Sequence, residues 1–323
     1  MTRHGRWLAV AAALCVCVAS VRAHPAYGVV ADTRGNVYVL NWPFRHVARI
    51  RADGKTDATV KIPAGDGVFP HGIAIDREGR VHVAATYSDG WWSIARDGST
   101  RKETTPELAR ALRRGVLQNF ATRAGTWWLV VRHEKKKEDG RDDTHWRVVR
   151  WVPGEAPVEV FAARRNGPRA LNLYAGAIVA TPDGAANLTA DHRVWRVAQG
   201  KAPCVIAGSE PGFRDGRGTS ARFKDPYGIC ADGKGGLFVA DEGNHRVRHV
   251  TAAGTVTTVL GTGKPGATDG PAKEATLDSP YGVCRSGTRL IVAEYVSTKQ
   301  GSRIRLRVLH DGKVSTLARL ETR

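Results

Sequence analysis

Short apolar runs separated by glycine-containing turns recur along the whole chain. Each run holds four to six residues rich in Val, Ile and aromatic side chains, and turns of the type Asp-x-x-Gly or Asp-Gly separate the runs. These are the signals of short antiparallel strands joined by hairpins. In the clearest stretch they predict four strands, at 228–231, 237–240, 247–251 and 255–260.

The pattern of runs repeats six times. Clear copies span 26–41, 70–85, 223–247 and 277–296, and more degenerate copies span 117–132 and 176–191. The residues that open the copies are spaced by 44, 46, 59, 51 and 54 positions: Tyr27, His71, Leu117, Gly176, Tyr227 and Tyr281. A repeat of this length means stacked supersecondary units, and four antiparallel strands per unit repeated radially form a propeller. The sequence therefore predicts an all-β fold, a six-bladed β-propeller of four-stranded antiparallel blades.

The last unit appears complete in itself. Residues 313–320 supply a fourth strand after the three earlier runs of that unit. We therefore expect the ring to close without a strand borrowed from the N-terminal end of the chain.

One segment resembles a known repeat. Residues 239–247 read VADEGNHRV, with the turn DGKGG before them and the strand GTVTTVLG after them. This resembles the NHL repeat, named for an Asn-His-Leu triplet that is Asn244, His245 and Arg246 here. The Gly-rich linker 207–226 is also similar to the connectors between such repeats. The resemblance implies an NHL-repeat six-bladed propeller of the exported bacterial type, and it says much less about function.

The first 23 residues have the pattern of a signal peptide. Arg3 and Arg6 precede an apolar run at 7–19, and Val21-Arg22-Ala23 fits a small-residue cleavage site. The run is shorter than the roughly 20 residues of a membrane-spanning helix. We therefore expect cleavage near Ala23, a periplasmic or extracellular location, and one propeller domain over residues 24–323.

The charge of the chain bears on its partners. The formal charge of +18 falls to +15 once the three arginines of the first 23 residues are removed. Such a charge favours anionic partners by long-range attraction, although solvated surface arginines give the same count. No nucleic-acid motif is present. We expect a monomer whose partner is a protein or an anionic or small-molecule ligand, with no nucleic acid and no membrane span.

Three cysteines follow the signal peptide: Cys204, Cys230 and Cys284. Their odd number leaves at least one thiol free or paired between chains. Cys230 and Cys284 occupy the same place in successive units, so their side chains should point the same way around the ring as small core residues.

Two insertions interrupt the strand pattern. Residues 105–115 combine a Thr cap, a Pro at the first helical position, helix formers and a terminal Gly, which predicts a short helix leading into the third blade. The mixed-charge run 134–145 is typical of a solvated hairpin extension. Alternating arginines in the third strands, at 245–250 and 303–308, are expected to brace neighbouring parts of the ring.

Two rings of side chains are expected to meet at one rim of the central channel, because a blade's first strand starts beside the end of its second. The first ring is the set of opening residues given above. The second ring lies just beyond the second strands: Trp42, Thr86, Arg132, His192, Glu242 and Tyr295. Loops on a rigid scaffold often bind ligands. The predicted ligand-binding residues are Tyr27, Trp42, His71, Arg132, Tyr227, Glu242, Tyr281 and Tyr295, although the same aromatics would also serve to pack the loops.

Two enzyme classes offer an alternative. The segment 69–76 resembles the histidine-bearing blade openings of the amidating lyases, propellers that hold zinc, but only His71 stands at such an opening here. Weak candidates for a zinc site are therefore His71, His133 and His192. The calcium-dependent lactonase propellers need acidic and amide ligands in the channel, for which the candidates are Asn41, Asn119, Asp191, Asp241 and Glu294.

The sequence favours a binding or scaffold module over an enzyme. No Gly-x-Ser-x-Gly, Cys-His or paired-carboxylate signature is present. The prediction is an exported propeller that binds its ligand at the channel rim without a cofactor. The alternative is a zinc- or calcium-dependent lyase or lactone hydrolase that uses the same channel.

Overall fold

Six antiparallel sheets form a ring around a central channel in the computed structural model, which describes residues 28–41, 45–63, 70–85, 90–112, 115–133, 144–164, 176–298 and 301–321. The prediction of a six-bladed β-propeller is thereby confirmed. The predicted signal peptide lies outside the described residues, as do the predicted rim residues Tyr27, Trp42 and Thr86 and the charged run 134–143.

Each blade runs in chain order from its innermost to its outermost strand. Blade 1 comprises β1 (Val29–Ala31), β2 (Val37–Asn41), β3 (His46–Ile50) and β4 (Thr56–Lys61). Blade 2 comprises β5 (Pro70–Ile75), β6 (Val81–Ala85), β7 (Trp91–Ile94) and β8 (Thr100–Glu103). Blade 3 comprises β9 (Val116–Arg123), β10 (Thr126–His133), β11 (His145–Trp151) and β12 (Val158–Arg164).

Blade 4 has four strands, and blades 5 and 6 each add a short fifth strand. Blade 4 comprises β13 (Ile178–Ala180), β14 (Ala186–Ala190), β15 (Arg193–Val197) and β16 (Cys204–Gly208). Blade 5 comprises β17 (Gly216–Arg217), β18 (Pro226–Ala231), β19 (Leu237–Asp241), β20 (Arg246–Val250) and β21 (Thr255–Leu260). Blade 6 comprises β22 (Gly270–Pro271), β23 (Pro280–Ser286), β24 (Arg289–Thr298), β25 (Gly301–His310) and β26 (Lys313–Glu321). Strands β17 and β22 come from the connectors and pair with the outermost strands β21 and β26.

The core is divided into six apolar clusters, one at each interface between adjacent blades. Successive residues of an innermost strand point to opposite sides. Ile229 therefore packs in the cluster between blades 4 and 5, and the next residue, Cys230, packs in the cluster between blades 5 and 6. Because every blade packs on two neighbours in this way, the apolar alternation along each strand holds the ring together.

The ring closes by packing alone. Strand β1 contacts β23, and the cluster between blades 6 and 1 joins Val29 and Val39 to Tyr281 and Leu306. Strand β1 pairs with β2 as the innermost strand of blade 1, and β26 completes blade 6. The expectation that no N-terminal strand completes the last blade is confirmed for the described residues.

The predicted helix before the third blade is α1 (Pro106–Leu112). The Thr105 hydroxyl caps it by accepting a hydrogen bond of 3.1 Å from the Leu108 N–H. Leu108, Ala111 and Leu112 bury their side chains in the cluster between blades 2 and 3.

Buried arginines of the third strands tie the long connectors to their blades. The Arg248 side chain is fully buried and donates to Asp241, to Asp215 of the connector, and to the connector carbonyls of Arg214 and Arg222. Arg307 makes the same set of contacts in blade 6, with Glu294, Asp269 and the carbonyls of Thr268 and Thr276. The arginine alternation seen in the sequence is therefore structural.

None of the three cysteines forms a disulfide in the described structure: Cys204 is exposed, Cys230 half-buried and Cys284 buried. Cys230 and Cys284 each pack toward the following blade, as predicted. No helix of the described residues is long and apolar enough to cross a membrane.

Candidate functional site

The central channel is the main cavity of the described structure, with a volume of about 370 Å³. The innermost strands of all six blades form its wall. In blade 1, Leu40 N–H donates to the Gly28 carbonyl and Asp32 N–H donates to the Asn36 carbonyl. Alternate residues therefore pair with β2, and the peptide groups of Val29 and Ala31 face the channel instead. Since each innermost strand is an edge strand, the channel wall offers backbone donors and acceptors.

Small residues at the start of the innermost strands let neighbouring blades approach closely. A Cβ atom on Gly228 would lie 2.7 Å from the Tyr281 carbonyl oxygen. Blade 3 has Asn119 at the corresponding position. Its amide accepts from the Phe120 N–H at 2.8 Å and donates to the Gly176 carbonyl of blade 4 at 3.3 Å, so it links the two blades.

Two arginines stand at one mouth of the channel. Arg123 ends β9 in blade 3, and Arg285 lies near the end of β23 in blade 6; both are exposed and line the channel. Blades 3 and 6 are opposite in a ring of six. Arg285 is held by hydrogen bonds to the carbonyls of Asp232 and Gly287, whereas no ion pair is found for Arg123 among the described residues. The two arginines therefore stand on opposite sides of this mouth, and the Arg285 guanidinium is bonded to the first turn of blade 5.

Tyr281 is the one predicted rim residue that lines the channel in the described structure. Its side chain is 1% exposed, and its hydroxyl has no hydrogen-bond partner there. Burial raises the pKa of Tyr281, so the hydroxyl stays protonated and able to donate. Tyr281 also packs in the cluster between blades 6 and 1, so binding and packing are both compatible with its position.

The other predicted rim residues take different positions. Tyr227 is buried, and its carbonyl accepts a hydrogen bond of 2.5 Å from Thr189. Glu242 is half-buried in a short 3-10 helix, Glu242–Asn244. Tyr295 is half-buried, and its N–H donates to the Ser279 carbonyl. The backbone of His71 lies in β5, and its side chain is outside the described structure.

The prediction that Arg132 lies beyond the end of its strand is wrong. It lies inside β10, not beyond its end, and is buried. The β10–β11 hairpin is longer than the sequence suggested, because pairing continues to His133 and His145. Arg147 pairs with Val131, and His133 follows Val131 by two residues. In blade 5, Arg248 pairs with Val239, and Asp241 follows Val239 by two residues. His133 is therefore the equivalent of Asp241.

Two of the three histidine candidates, His133 and His192, are engaged in structural hydrogen bonds. The His133 Nε2 atom accepts from Arg147, whose guanidinium also donates to the carbonyls at the end of α1. The His192 Nδ1 atom accepts from the Asp225 N–H at 3.1 Å, which joins blade 4 to blade 5. His245 makes the same link between blades 5 and 6 through the Ser279 N–H, at 3.2 Å.

The described residues do not fit a zinc or calcium site. No group of three or more His, Cys, Asp or Glu side chains among them is placed to hold a metal ion. Of the calcium candidates, Asp241 and Glu294 are fully buried against Arg248, Arg305 and Arg307. These carboxylates already have cationic partners, and they do not reach the channel as free ligands.

The channel also lacks an activated thiol among its described residues. Cys230 and Cys284 both line it, but burial raises the pKa of Cys230 to about 12 and that of Cys284 well above its ordinary value. Since the thiolate is the nucleophile, both groups are inert near neutral pH. The channel is chemically a place for hydrogen bonding and for neutralising negative charge.

The mouth arginines were missed at the sequence level. Arg123 occupies the position that Asp32, Asp76 and Asp232 take in other units, where the aspartate closes the first hairpin. A comparison of the six copies at this position would have identified an arginine in place of an acid.

Comparisons with known proteins support the same class. Residues 223–250 match the NHL repeat. The fold is similar to that of a structural genomics protein of unknown function from Bacteroides thetaiotaomicron, with a TM-score of 0.68, 16% identity, and coverage of 90% of this chain and 69% of that chain. An auxiliary nutrient binding protein from the same organism gives a TM-score of 0.57, 13% identity, and coverage of 90% and 69%. A gluconolactonase from Xanthomonas campestris gives a TM-score of 0.55 and 13% identity, with coverage of 83% of this chain and 82% of that chain.

A curated relative matches a shorter part of the chain. Protein SUPPRESSOR OF QUENCHING 1, chloroplastic, from Arabidopsis thaliana is 30% identical over 128 residues, which is 36% of this chain and only 12% of that protein. At identities this low, the similar structures show the fold alone. The protein is a six-bladed β-propeller that contains an NHL repeat.

Proposed function

We propose that this protein is an exported binding module that holds a small organic anion in its central channel. The observation that carries the proposal is the pair of exposed arginines, Arg123 and Arg285, at one mouth of a channel walled by backbone edges. Guanidinium groups recognise carboxylates through charge-assisted hydrogen bonds. The high positive charge of the chain would draw anions toward this mouth.

The channel wall favours a ligand with several hydroxyl groups. The peptide groups of six strand edges provide alternating donors and acceptors, and the Tyr281 hydroxyl, buried between blades 6 and 1, has no partner among the described residues. A buried polar group of this kind gains from a hydrogen bond that a ligand supplies. A hydroxylated carboxylate, such as a sugar acid, matches both the mouth and the wall.

The predicted rim would form the other approach to the same channel. Tyr281 lines the channel, and Tyr227, Glu242 and Tyr295 lie around the starts of the innermost strands. The similar structure named as a nutrient binding protein agrees with a binding role. The metal-dependent alternative is less well supported, because most of the described candidate donors are engaged in ion pairs or hydrogen bonds; the buried Asn41 Oδ1 is an exception.

Calorimetric titration of the purified protein with gluconate tests the proposal. We expect binding that weakens with added salt, and at least a tenfold loss of affinity in the Arg123→Ala/Arg285→Ala double variant, since each charge-assisted bond contributes about 1.5–3 kcal/mol. Arg77→Ala, at an exposed turn of blade 2, is the matched control and should bind like the wild type. Failure of gluconate, citrate and inorganic phosphate to bind would refute the anion site.

A further inference from the structure

A second site lies between blades 4 and 5, where one side chain differs in kind from its equivalents. That side chain belongs to the second strand of its blade. In blades 1 to 6 it lies opposite the innermost-strand residues Val30, Ala74, Ala121, Val179, Cys230 and Cys284. Four of the six blades have a ring at this position, which narrows the space toward the following blade: Tyr38, His82, Trp128 and Phe238. Blade 6 has the fully buried Ile291 instead.

Blade 4 has Asn187 at this position. The Asn187 side chain is 2% exposed, and its Oδ1 atom has no hydrogen-bond partner in the described structure. The cleft beside Asn187 has a volume of about 350 Å³, compared with about 230 Å³ beside Phe238 and about 70 Å³ beside Tyr38. Its lining includes Ile206 and Leu237 on the apolar side and the ion pair of Asp183 with Arg196 on the polar side.

These features define the chemistry of an occupant. A buried acceptor without a donor costs free energy, and a donor from a ligand would recover it. The shape is that of a missing aromatic ring between two blades, with apolar walls formed by aliphatic side chains. The Arg196 guanidinium adds a cation that favours the face of an aromatic ring.

We propose that this cleft binds a free small aromatic molecule that carries an N–H or O–H donor, such as a phenol or an indole. The ring takes the place that Phe238 fills one blade further on, and the donor bonds the Asn187 oxygen. The site is separate from the central channel, because none of the cleft residues named above lines the channel.

Ligand-observed NMR and calorimetry with phenol, indole and benzene test the proposal on the full-length protein. Phenol should bind more tightly than benzene by roughly five- to tenfold, the effect of one hydrogen bond. In Asn187→Leu, which keeps much of the space but loses the acceptor, the two probes should bind equally. In Asn187→Phe, which loses the acceptor and narrows the cleft toward the size of the one beside Phe238, probe binding should weaken at least tenfold and the melting temperature should rise.

Several results would overturn the proposal. These are no binding of phenol or indole to the wild type, equal binding to folded Asn187→Phe, or equal affinities of phenol and benzene for the wild type. If Asn187→Phe fails to fold, the comparison of the wild type with Asn187→Leu still decides the matter. Tighter binding of N-acetyltryptophanamide than of indole would assign the cleft to a side chain of a partner protein and exclude the free molecule.

Discussion

The ring and the hydroxyl of Tyr281 have different roles, so packing and ligand binding can be tested separately at this residue. Its ring packs between blades 6 and 1, whereas its hydroxyl is buried without a partner in the described structure. Removing the whole side chain would confound the two roles, so only the oxygen should be removed.

Tyr281→Phe should leave the melting temperature within about a degree of the wild type, because the packed ring remains. Gluconate affinity should fall by up to about tenfold if the hydroxyl bonds the ligand. Tyr38→Phe is the control, since Tyr38 bonds Asp32 away from the channel; it should cost stability and leave affinity unchanged. A Tyr281→Phe protein that binds gluconate as tightly as the wild type would remove Tyr281 from the site.

The His245 side chain makes the stability of the folded protein depend on pH. Its Nδ1 atom accepts from Ser279, and burial lowers the pKa of His245, with the positive charges of Arg246 and Lys224 acting in the same direction and Asp278 opposing them. The unfolded chain therefore binds a proton more readily than the folded chain. This lowers stability as the pH falls below the ordinary His pKa of about 6.5.

His245→Asn keeps an acceptor, and asparagine tolerates the left-handed backbone found here, with φ of 52°. Thermal unfolding at pH 7 and pH 5 should show a smaller loss of melting temperature in this variant than in the wild type. His310→Asn, at the exposed end of β25, is the control. An unchanged difference between the two pH values in His245→Asn would show that His245 does not titrate on unfolding.

At the scale of elements, the connectors depend on buried arginines more than on strand pairing. Strand β17 contributes only two residues to blade 5, whereas Arg248 joins two carboxylates and two connector carbonyls. Asp215 in turn accepts from the Thr258 N–H and hydroxyl of the outermost strand. The buried guanidinium is the point at which connector and blade meet.

Arg248→Met should reduce the free energy of unfolding by about 3–5 kcal/mol, because it leaves the buried Asp241 carboxylate without its cation. Arg101→Met, which removes an exposed arginine paired with Glu103 at 3.4 Å, should cost less than about 1 kcal/mol. Urea denaturation measures both. Equal costs for the two variants would contradict a structural role for the buried arginine.

Local pattern was enough to predict several elements. The Thr105 cap, the Pro106 start and the apolar spacing of α1 are all local signals, and the four strands of blade 5 follow from turns with glycine. The end of β10 was harder to predict, because its pairing with β11 continues as far as His133 and His145. Arg132 was assigned to the rim for this reason.

At the scale of the whole molecule, the repeat count predicted the ring but not its chemistry. The channel wall is made of peptide groups, which no side-chain motif reveals. The cleft at Asn187 arises from the absence of a ring, visible only once the six registers are compared. Arg123 and Arg285 belong to opposite blades, a relation that depends on ring closure.

The central claim is that an anion occupies the channel, and amide chemical-shift mapping with gluconate tests it most directly. We predict the largest shifts in the innermost strands of all six blades, at residues such as Val29, Ile229 and Val283, with the Arg123 and Arg285 side-chain signals moving at the same ligand concentration. Shifts confined to the outer strands, or to the connectors at 209–225 and 262–279, would contradict a channel site.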